Sequence, residues 1–139
     1  MNNDVLTAMQ ISVSGLRAQG ERINVIAQNV ANSSTLPTEQ GEDPYRRKII
    51  IFKNEFDKEL QADKVVLDEI RQDTSSPFGQ EYNPAHPAAN EQGYVQTPNV
   101  QGLIELQDMK EAQRTYEANL GMVTQAREMY MRTVDLLSR

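Results

Sequence analysis

The residue best suited to chemistry in this chain is its only histidine, His86, because an imidazole can act as a metal ligand or a general base. It stands between Ala85 and Pro87, and the chain has no cysteine and no second histidine. A zinc site needs several such ligands, and a catalytic triad needs a nucleophile paired with its base. We therefore predict a structural or surface role for His86.

Carboxylate pairs are the next candidates, because two neighbouring acids can divide the roles of general acid and general base. Glu55 with Asp57 and Asp68 with Glu69 are such pairs, but both occur in the hydrophilic surroundings that are typical of a solvated face. The glycines are scattered and have no phosphate-loop spacing. The residues thus indicate no enzyme, no cofactor, no metal site and no small-molecule substrate.

Composition favours one domain with a thin apolar core. The 139 residues are 38% hydrophobic, and they include three phenylalanines and no tryptophan. The net charge of -6 argues against nucleic-acid binding, which needs a basic surface. The one basic cluster, residues 46–48, is too short to reverse that conclusion.

The absence of cysteine excludes disulfides and thiolate metal sites, and it fits either a reducing compartment or an exported protein. The sequence has no run of about 18 apolar residues, so it predicts no membrane span. The segment 1–13 lacks the basic start and the apolar core of a secretory signal. If the protein leaves the cytoplasm, we expect a route without a cleaved signal peptide.

Periodic apolar residues predict a first long helix. Asp4 is suited to cap it, and Asn32–Ser34 with Pro37 end it, which gives a helix of about 27 residues. Gly15 and Gly20 lie inside it, each at a cost of roughly 1 kcal/mol relative to alanine, so the isolated helix is expected to be marginal. The apolar positions alternate by four and three residues, as in a coiled coil. The predicted subunit-packing residues of this helix are Leu6, Met9, Val13, Leu16, Ile23 and Val30.

A second long helix is predicted at the C-terminal end. Pro98 cannot lie inside a helix and Asn99 is a good N-cap, so we expect roughly forty helical residues from this point. Its apolar positions also alternate by four and three, which requires cover by another helix. A parallel stripe of small residues, Ala112, Asn119 and Ala126, would admit a second close neighbour. The predicted subunit-packing residues here are Met109, Tyr116, Leu120, Val123, Tyr130, Val134 and Leu137.

Between the helices the pattern changes to short strands. Tyr45–Phe52 is continuous and β-branched, and Lys64–Ile70 is a second candidate, so we predict a small hairpin or meander. Two or three strands are not stable alone, and they must rest on a helix or on another subunit. The segment 74–98 contains four of the six prolines and is predicted to be an extended strap that binds a surface. Its predicted anchors are Tyr82, His86 and Tyr94.

These elements predict a fold that is mainly α with a small β part. The long N- and C-terminal helices are expected to pack as a coiled coil, with the short β-hairpin or meander and the extended strap between them. The expected divisions are the N-terminal helix at 1–31, the β region with the proline-rich strap at 32–98, and the C-terminal helix at 99–139. A simpler alternative stays open, in which the two helices close as a hairpin within one chain.

Three stretches together resemble the bacterial flagellar basal-body rod family. The first combines Ser14–Leu16 with Ala27–Asn32, the second is Pro44–Lys48, and the third is Asn83–Pro87 followed by Gly93–Val100. The C-terminal helix adds Glu105, Asp108, Met109 and Arg114–Asn119, which look like the C-terminal signature of that family. The second and third stretches resemble the proximal-rod members in particular.

The resemblance implies a structural subunit of the proximal rod, in the part of the flagellar basal body that spans the periplasm. Segments 1–31 and 99–139 would form the axial core, and segment 1–31 would also serve export. The partners implied are copies of itself, other rod proteins, the basal-body adaptor protein, the MS ring and the flagellar type III export machinery. No nucleic acid or small-molecule substrate is implied.

The competing interpretation is a helical inner-rod or needle-like subunit of a related type III secretion apparatus. Such a subunit would need neither the strand at Tyr45–Ile51 nor the strap around His86. An enzyme ranks far behind both, because no constellation of residues supports one.

Overall fold

The computed structural model describes residues 2–138, and the side chains of residues 4–138. The elements in chain order are α1 Asn2–Ala31, β1 Lys48–Asp57, β2 Ala62–Gln72, β3 Gly79–Tyr82, β4 Tyr94–Thr97 and α2 Gly102–Leu137. The fold is mainly helical with a small β part, as the sequence predicts. Met1 and Arg139, the outermost residues of the predicted terminal segments, lie outside the described residues.

The chain forms two compact units, and both helices contribute to each. Unit 1 contains Met1–Ile23, Ile51–Glu69 and Lys110–Arg139, and unit 2 contains Asn24–Ile50 and Ile70–Met109. No helix within residues 2–138 is long and apolar enough to cross a membrane.

β1 and β2 are hydrogen-bonded neighbours in a two-stranded sheet, which confirms the small β-hairpin or meander. β1 begins three residues after the predicted start and ends five residues after the predicted end, because the mostly polar residues 53–57 also belong to the sheet. β2 extends two residues further than predicted at each end. In unit 1 a groove of about 430 Å³ is lined by Val13 and Ala18 of α1 and by Val65 and Leu67 of β2. This part of the sheet therefore lies beside a helix, as a two-stranded sheet requires.

α1 begins at Asn2, so Asp4 lies in its first turn and the predicted cap at Asp4 is wrong. An acidic residue in a first turn is still favourable, because it complements the helix dipole. The helix continues through both of its glycines and ends at Ala31, where the sequence predicts its end. Its buried apolar residues are Ala18, Val25 and Ile26. The predicted packing residues Leu6, Met9, Val13, Leu16, Ile23 and Val30 are half-buried.

α2 begins at Gly102, so the prediction that Asn99 caps this helix is also wrong. The first turn closes where the backbone N–H of Glu105 donates to the carbonyl of Gln101 over 3.1 Å. The Asn99 side chain is not available as a cap, because it binds backbone groups of three other residues, as described below.

The single chain buries the two alanines of the predicted small-residue stripe on α2. Ala112 and Ala126 are buried, whereas Leu120 is 47% exposed. In unit 1 a Cβ atom added to Gly15 would lie 2.9 Å from Nδ2 of Asn119, so the glycine permits this close approach. Among the other predicted packing residues, Met109, Val123 and Tyr130 are half-buried, and Tyr116, Val134 and Leu137 are exposed. Coiled-coil packing through these larger residues stays a prediction.

The segment 74–98 forms a hairpin over much of its length, so the predicted extended strap is wrong. β3 pairs with β4 in antiparallel fashion, with Gly79 opposite Thr97 and Tyr82 opposite Tyr94. The connecting turn closes through a 2.9 Å hydrogen bond from the Asn83 N–H to the Gly93 carbonyl. Strands of four residues are too short to leave a periodic pattern between prolines, and this conceals them in the sequence.

Candidate functional site

A buried polar cluster in unit 2 joins the end of α1, the segment that precedes β1 and the start of α2. This Glu105 cluster comprises Asn29, Tyr45, Arg47, Asp73, Asn99 and Glu105. The Glu105 side chain is only 1% exposed. A carboxylate that is removed from water must be paired and hydrogen-bonded, because its desolvation costs several kcal/mol.

The guanidinium of Arg47 supplies the opposite charge. Its Nε donates to Oε1 of Glu105 over 2.5 Å, which makes a short, charge-assisted hydrogen bond. Its two terminal nitrogens lie 3.9 Å from carboxylate oxygens of Asp73 and Asp108. One guanidinium thus serves three carboxylates, and Glu105 is the closest and most buried of them. The position of Glu105 in the first turn of α2 adds a favourable interaction with the helix dipole.

Asn29, on the last turns of α1, is 1% exposed and uses its full hydrogen-bonding capacity. Its Nδ2 donates to Oε2 of Glu105 over 3.1 Å and to the carbonyl of Lys48 over 2.9 Å. Its Oδ1 accepts from the Tyr45 hydroxyl and from the Lys48 backbone N–H, each over 2.9 Å. Burial raises the pKa of the Tyr45 phenol, and the charge of Glu105 adds to this effect, so the phenol remains a neutral donor.

Asn99 ties the segment before α2 to two other parts of the chain. Its Oδ1 accepts from the backbone N–H of Arg47 over 2.6 Å. Its Nδ2 donates to the carbonyls of Asp73 and Ser76 over 3.0 and 3.1 Å. The Asp73 N–H also donates to the Arg47 carbonyl over 2.7 Å. One amide therefore fixes three segments that are far apart in sequence.

Asp73 closes the turn that follows β2. Its Oδ1 accepts from the Ser75 hydroxyl over 2.6 Å, from the Ser75 N–H over 2.9 Å and from the Ser76 N–H over 3.2 Å. Its Oδ2 accepts from the Ser76 hydroxyl over 2.9 Å. These bonds, led by the Ser75 hydroxyl and then the Ser76 hydroxyl, hold the pKa of Asp73 well below its usual range.

The depressed pKa of Asp73 predicts an acid-dependent loss of stability. A carboxyl with a folded pKa below its unfolded value of about 3.9 stabilises the fold above that pH, and this contribution is lost as the pH falls through the folded pKa. Asp73→Asn should therefore lower the free energy of unfolding at neutral pH, and its difference from wild type should shrink below about pH 4. Urea unfolding followed by circular dichroism across this range measures the difference.

Asp63→Asn, at an exposed position of β2, is the control. If the difference in the free energy of unfolding between wild type and Asp73→Asn stays constant with pH, the depressed pKa of Asp73 is contradicted.

The Glu105 cluster is suited to holding chain segments in position rather than to catalysis. A cleft of about 600 Å³ beside the cluster is lined by Arg47, Asp73, Asn99, Ile104 and Glu105 among others, but the polar groups of the cluster are directed at one another. Among residues 4–138, no group of three or more His, Asp and Glu side chains is placed to hold a metal ion. The cluster can hold three chain segments in fixed positions.

The three predicted strap anchors lie on or next to the β3–β4 hairpin. The rings of Tyr82 and Tyr94 meet edge to face, with centroids 5.3 Å apart and planes at 64°. His86 lies in the connecting turn. Its ring Nδ1 accepts from the Ala88 backbone N–H over 3.1 Å, and its backbone N–H donates to the Asn83 carbonyl. The tyrosines are exposed, whereas His86 shapes the turn.

Sequence reasoning did not identify the Glu105 cluster as a site. One signal was present, because Asn29 follows Val25 and Ile26 by four and three residues and so lies on the buried face of its helix. A polar residue on such a face needs partners. The partners themselves come from segments 16 to 76 residues away, and no local pattern reveals them.

The chain is similar over most of its length to bacterial rod proteins. Residues 9–36 match the family described as "Flagella basal body rod protein", and residues 91–136 match that described as "Flagellar basal body rod FlgEFG protein C-terminal". The first match includes Asn29, and the second includes Asn99 and Glu105.

Individual relatives cover nearly the whole chain. One from Agrobacterium fabrum, named flagellar basal-body rod protein FlgC, is 40% identical over 130 residues, which are 94% of this chain and 93% of the relative. A relative of the same name from Aquifex aeolicus is 35% identical and covers 95% of this chain and 96% of its own. Another from Bacillus subtilis is 33% identical and covers 93% of this chain and 95% of its own.

Proposed function

The chain belongs to the FlgC family of flagellar basal-body rod proteins, and on this premise we propose that it is a subunit of the proximal rod, the tubular drive shaft of the basal body. It is a structural protein of the flagellar basal body and not an enzyme. The alternative of an inner-rod or needle-like subunit of a related secretion apparatus is not favoured, because relatives matched over 93 and 96% of their own length are named flagellar basal-body rod proteins.

Apolar residues exposed on two flanks of α2 carry the proposal. Leu120 and Met131 lie within about 20° of each other around the helix axis, and Met122 and Met129 do likewise on the other flank. All four are exposed in the single chain. A helix that buries small residues on one face and exposes large ones on two flanks is suited to contact neighbours on both sides. Such heterologous contacts build rings or open helical assemblies rather than isologous dimers.

Assembly would bury the larger residues that the single chain leaves accessible. In this proposal the terminal segments 1–31 and 99–139 form the axial core, and their predicted packing residues meet other subunits in coiled-coil fashion. Full burial of a leucine or valine side chain contributes about 1.5 to 3 kcal/mol. Exposure of Tyr116, Val134 and Leu137 in the single chain supports this role.

The family implies assembly with other rod proteins in the basal body. The finer set of partners in our proposal adds copies of the same chain, the basal-body adaptor protein, the MS ring and the flagellar type III export machinery. The rod would span the periplasm, and the subunit would reach it without cleavage of a signal peptide.

Export is proposed to require the first half of α1. Two glycines make this helix marginal when it is isolated, and such a segment is easily kept unfolded during passage. Deletion of residues 2–18 should leave the protein in the cytoplasm, and cell fractionation with immunodetection measures this. Deletion of residues 58–61, the β1–β2 turn, is a control that removes residues outside both helices. Export of the 2–18 deletion at the wild-type level would contradict this role.

Imaging of basal bodies from cells that lack this protein tests the function as a whole. We expect assembly to stop before the rod is complete, and a wild-type copy supplied in trans should restore it. Complete rods in the deletion strain would overturn the proposal.

A further inference from the structure

One face of the β3–β4 hairpin presents two tyrosines and two glutamines. The register pairs Tyr82 with Tyr94 and Gln80 with Gln96. Alternate residues of a strand point to the same side, so these four side chains share one face, here named the Tyr–Gln face. Val95 lies on the other side and is fully buried, which leaves the Tyr–Gln face directed away from the core.

The two aromatic rings are exposed yet held in place. Tyr82 is 65% exposed and Tyr94 is 41% exposed. Gly93 has a φ of +82°, and a Cβ atom there would lie 2.9 Å from the Tyr82 ring, so the ring rests against the glycine. The Asn90 Oδ1 accepts from the backbone N–H groups of Gln92 and Tyr94 over 3.0 and 2.9 Å. Because these contacts already hold the rings in place, little conformational entropy is lost when a ligand binds to them.

A cleft of about 420 Å³ adjoins the Tyr–Gln face. Gln80, Tyr94 and Gln96 line one part of it. Gln40, Glu42, Asp43 and Asn90 line another part. The carboxylate of Glu42 accepts hydrogen bonds from the backbone N–H and the hydroxyl of Thr38, each over 2.9 Å. This wall of the cleft is therefore held in place as well. The volume falls within the range of small-molecule sites.

The chemistry of this surface selects among ligands. It combines aromatic rings with amides that both donate and accept, and with carboxylate acceptors. No lysine or arginine is among the described residues that line the cleft, so an anionic ligand has no counter-charge there. Large aliphatic side chains are also absent from the Tyr–Gln face. The complementary ligand is therefore not anionic, is rich in hydroxyl or amide groups that can donate to the carboxylates, and is apolar on its ring faces.

We propose that the Tyr–Gln face and its cleft bind a carbohydrate chain of uncharged pyranose units. A sugar ring would lie against the exposed Tyr82 ring, while its hydroxyl or acetamido groups exchange hydrogen bonds with Gln80 and Gln96. This binding site is separate from the role in rod assembly, and it does not require that role.

Titration of the purified full chain with chitotetraose, a tetramer of N-acetylglucosamine, tests the proposal by ¹⁵N NMR. We expect saturable shifts confined to the signals of residues 79–97 and 37–43. Cellotetraose, which lacks the acetamido groups, distinguishes recognition of the acetamido group from recognition of the ring alone. If neither sugar gives saturable shifts, the proposal is wrong.

Variants separate a sugar site from a protein-docking face. Tyr82→Ala should weaken chitotetraose binding about tenfold, whereas Tyr82→Phe keeps the ring and should bind nearly as wild type. Phe56→Ala, which removes an exposed aromatic ring from β1, is the matched control and should leave binding unchanged. Tyr82→Ala should also leave basal-body rods intact. If Tyr82→Ala abolishes rod assembly while the wild-type chain ignores both sugars, the face docks protein and the carbohydrate proposal is overturned.

Discussion

Replacing Leu120 with aspartate is expected to abolish rod assembly. The Leu120 side chain is 47% exposed in the single chain and lies on a flank of α2 that we propose is covered by a neighbouring subunit. Burial of an unpaired carboxylate in such a contact costs several kcal/mol, and the contribution of the leucine is lost as well. The expected result is loss of motility and of visible rods in purified basal bodies.

The control for Leu120→Asp is Glu111→Ala, because Glu111 is an exposed residue of the same helix. This change should leave motility nearly at the wild-type level. The free energy of unfolding of the isolated Leu120→Asp chain should stay within about 0.5 kcal/mol of wild type, as is usual for an exposed position. Equal motility defects in the two variants would show that this flank of α2 is not a subunit contact.

Periodicity was sufficient to predict the two long helices and the first two strands. The four-three spacing that runs from Leu6 to Val30 persists through two glycines, and the helix does also. The β-branched run around Ile49–Ile51 has no helical alternative, and it lies in β1. In each case the signal is local and extends over many residues, so tertiary structure does not need to be known in advance.

The choice of buried face in α2 could not be made from the sequence. The larger residues at Leu120 and Val134 and the small residues at Ala112 and Ala126 follow parallel stripes on the same helix. Hydrophobicity favours the larger residues, but the single chain buries the small ones, because close approach is possible only there. Which stripe a helix presents to its own chain depends on the partner surface, here Gly15 beside Asn119.

The Glu105 cluster was hidden for a different reason. Asn99 has the type and position of an N-cap, and its side chain does bind backbone N–H, but that N–H belongs to Arg47 instead of the helix. Glu105 likewise has the position of an ordinary first-turn acid. Local rules account for both residue types, whereas the actual partners are 52 and 58 positions away in sequence.

Replacing Glu105 with alanine is expected to have the largest effect on stability. The change leaves the Arg47 guanidinium without its closest partner and the Nδ2 of Asn29 without one of its two acceptors. Removal of one member of a buried ion pair typically costs about 3 to 5 kcal/mol. Because the Arg47 side chain is 26% exposed, we expect about 3 kcal/mol, a large part of the stability of a small protein. Urea unfolding of the full chain measures this difference.

Two comparisons show whether this loss belongs to the cluster or to helix α2 in general. Asp108→Ala removes another carboxylate of α2 that faces Arg47, but this one lies 3.9 Å away and is 35% exposed. Its loss should cost less than about 1 kcal/mol, as is usual for exposed pairs.

In a double-mutant cycle, Glu105→Ala and Arg47→Ala should together cost clearly less than the sum of the single changes, because either change alone leaves a charge unpaired. If Glu105→Ala costs no more than Asp108→Ala, or if the two changes in the cycle are additive, then the buried pair does not hold the three segments together. The polar cluster would then be a consequence of the fold and not one of its determinants.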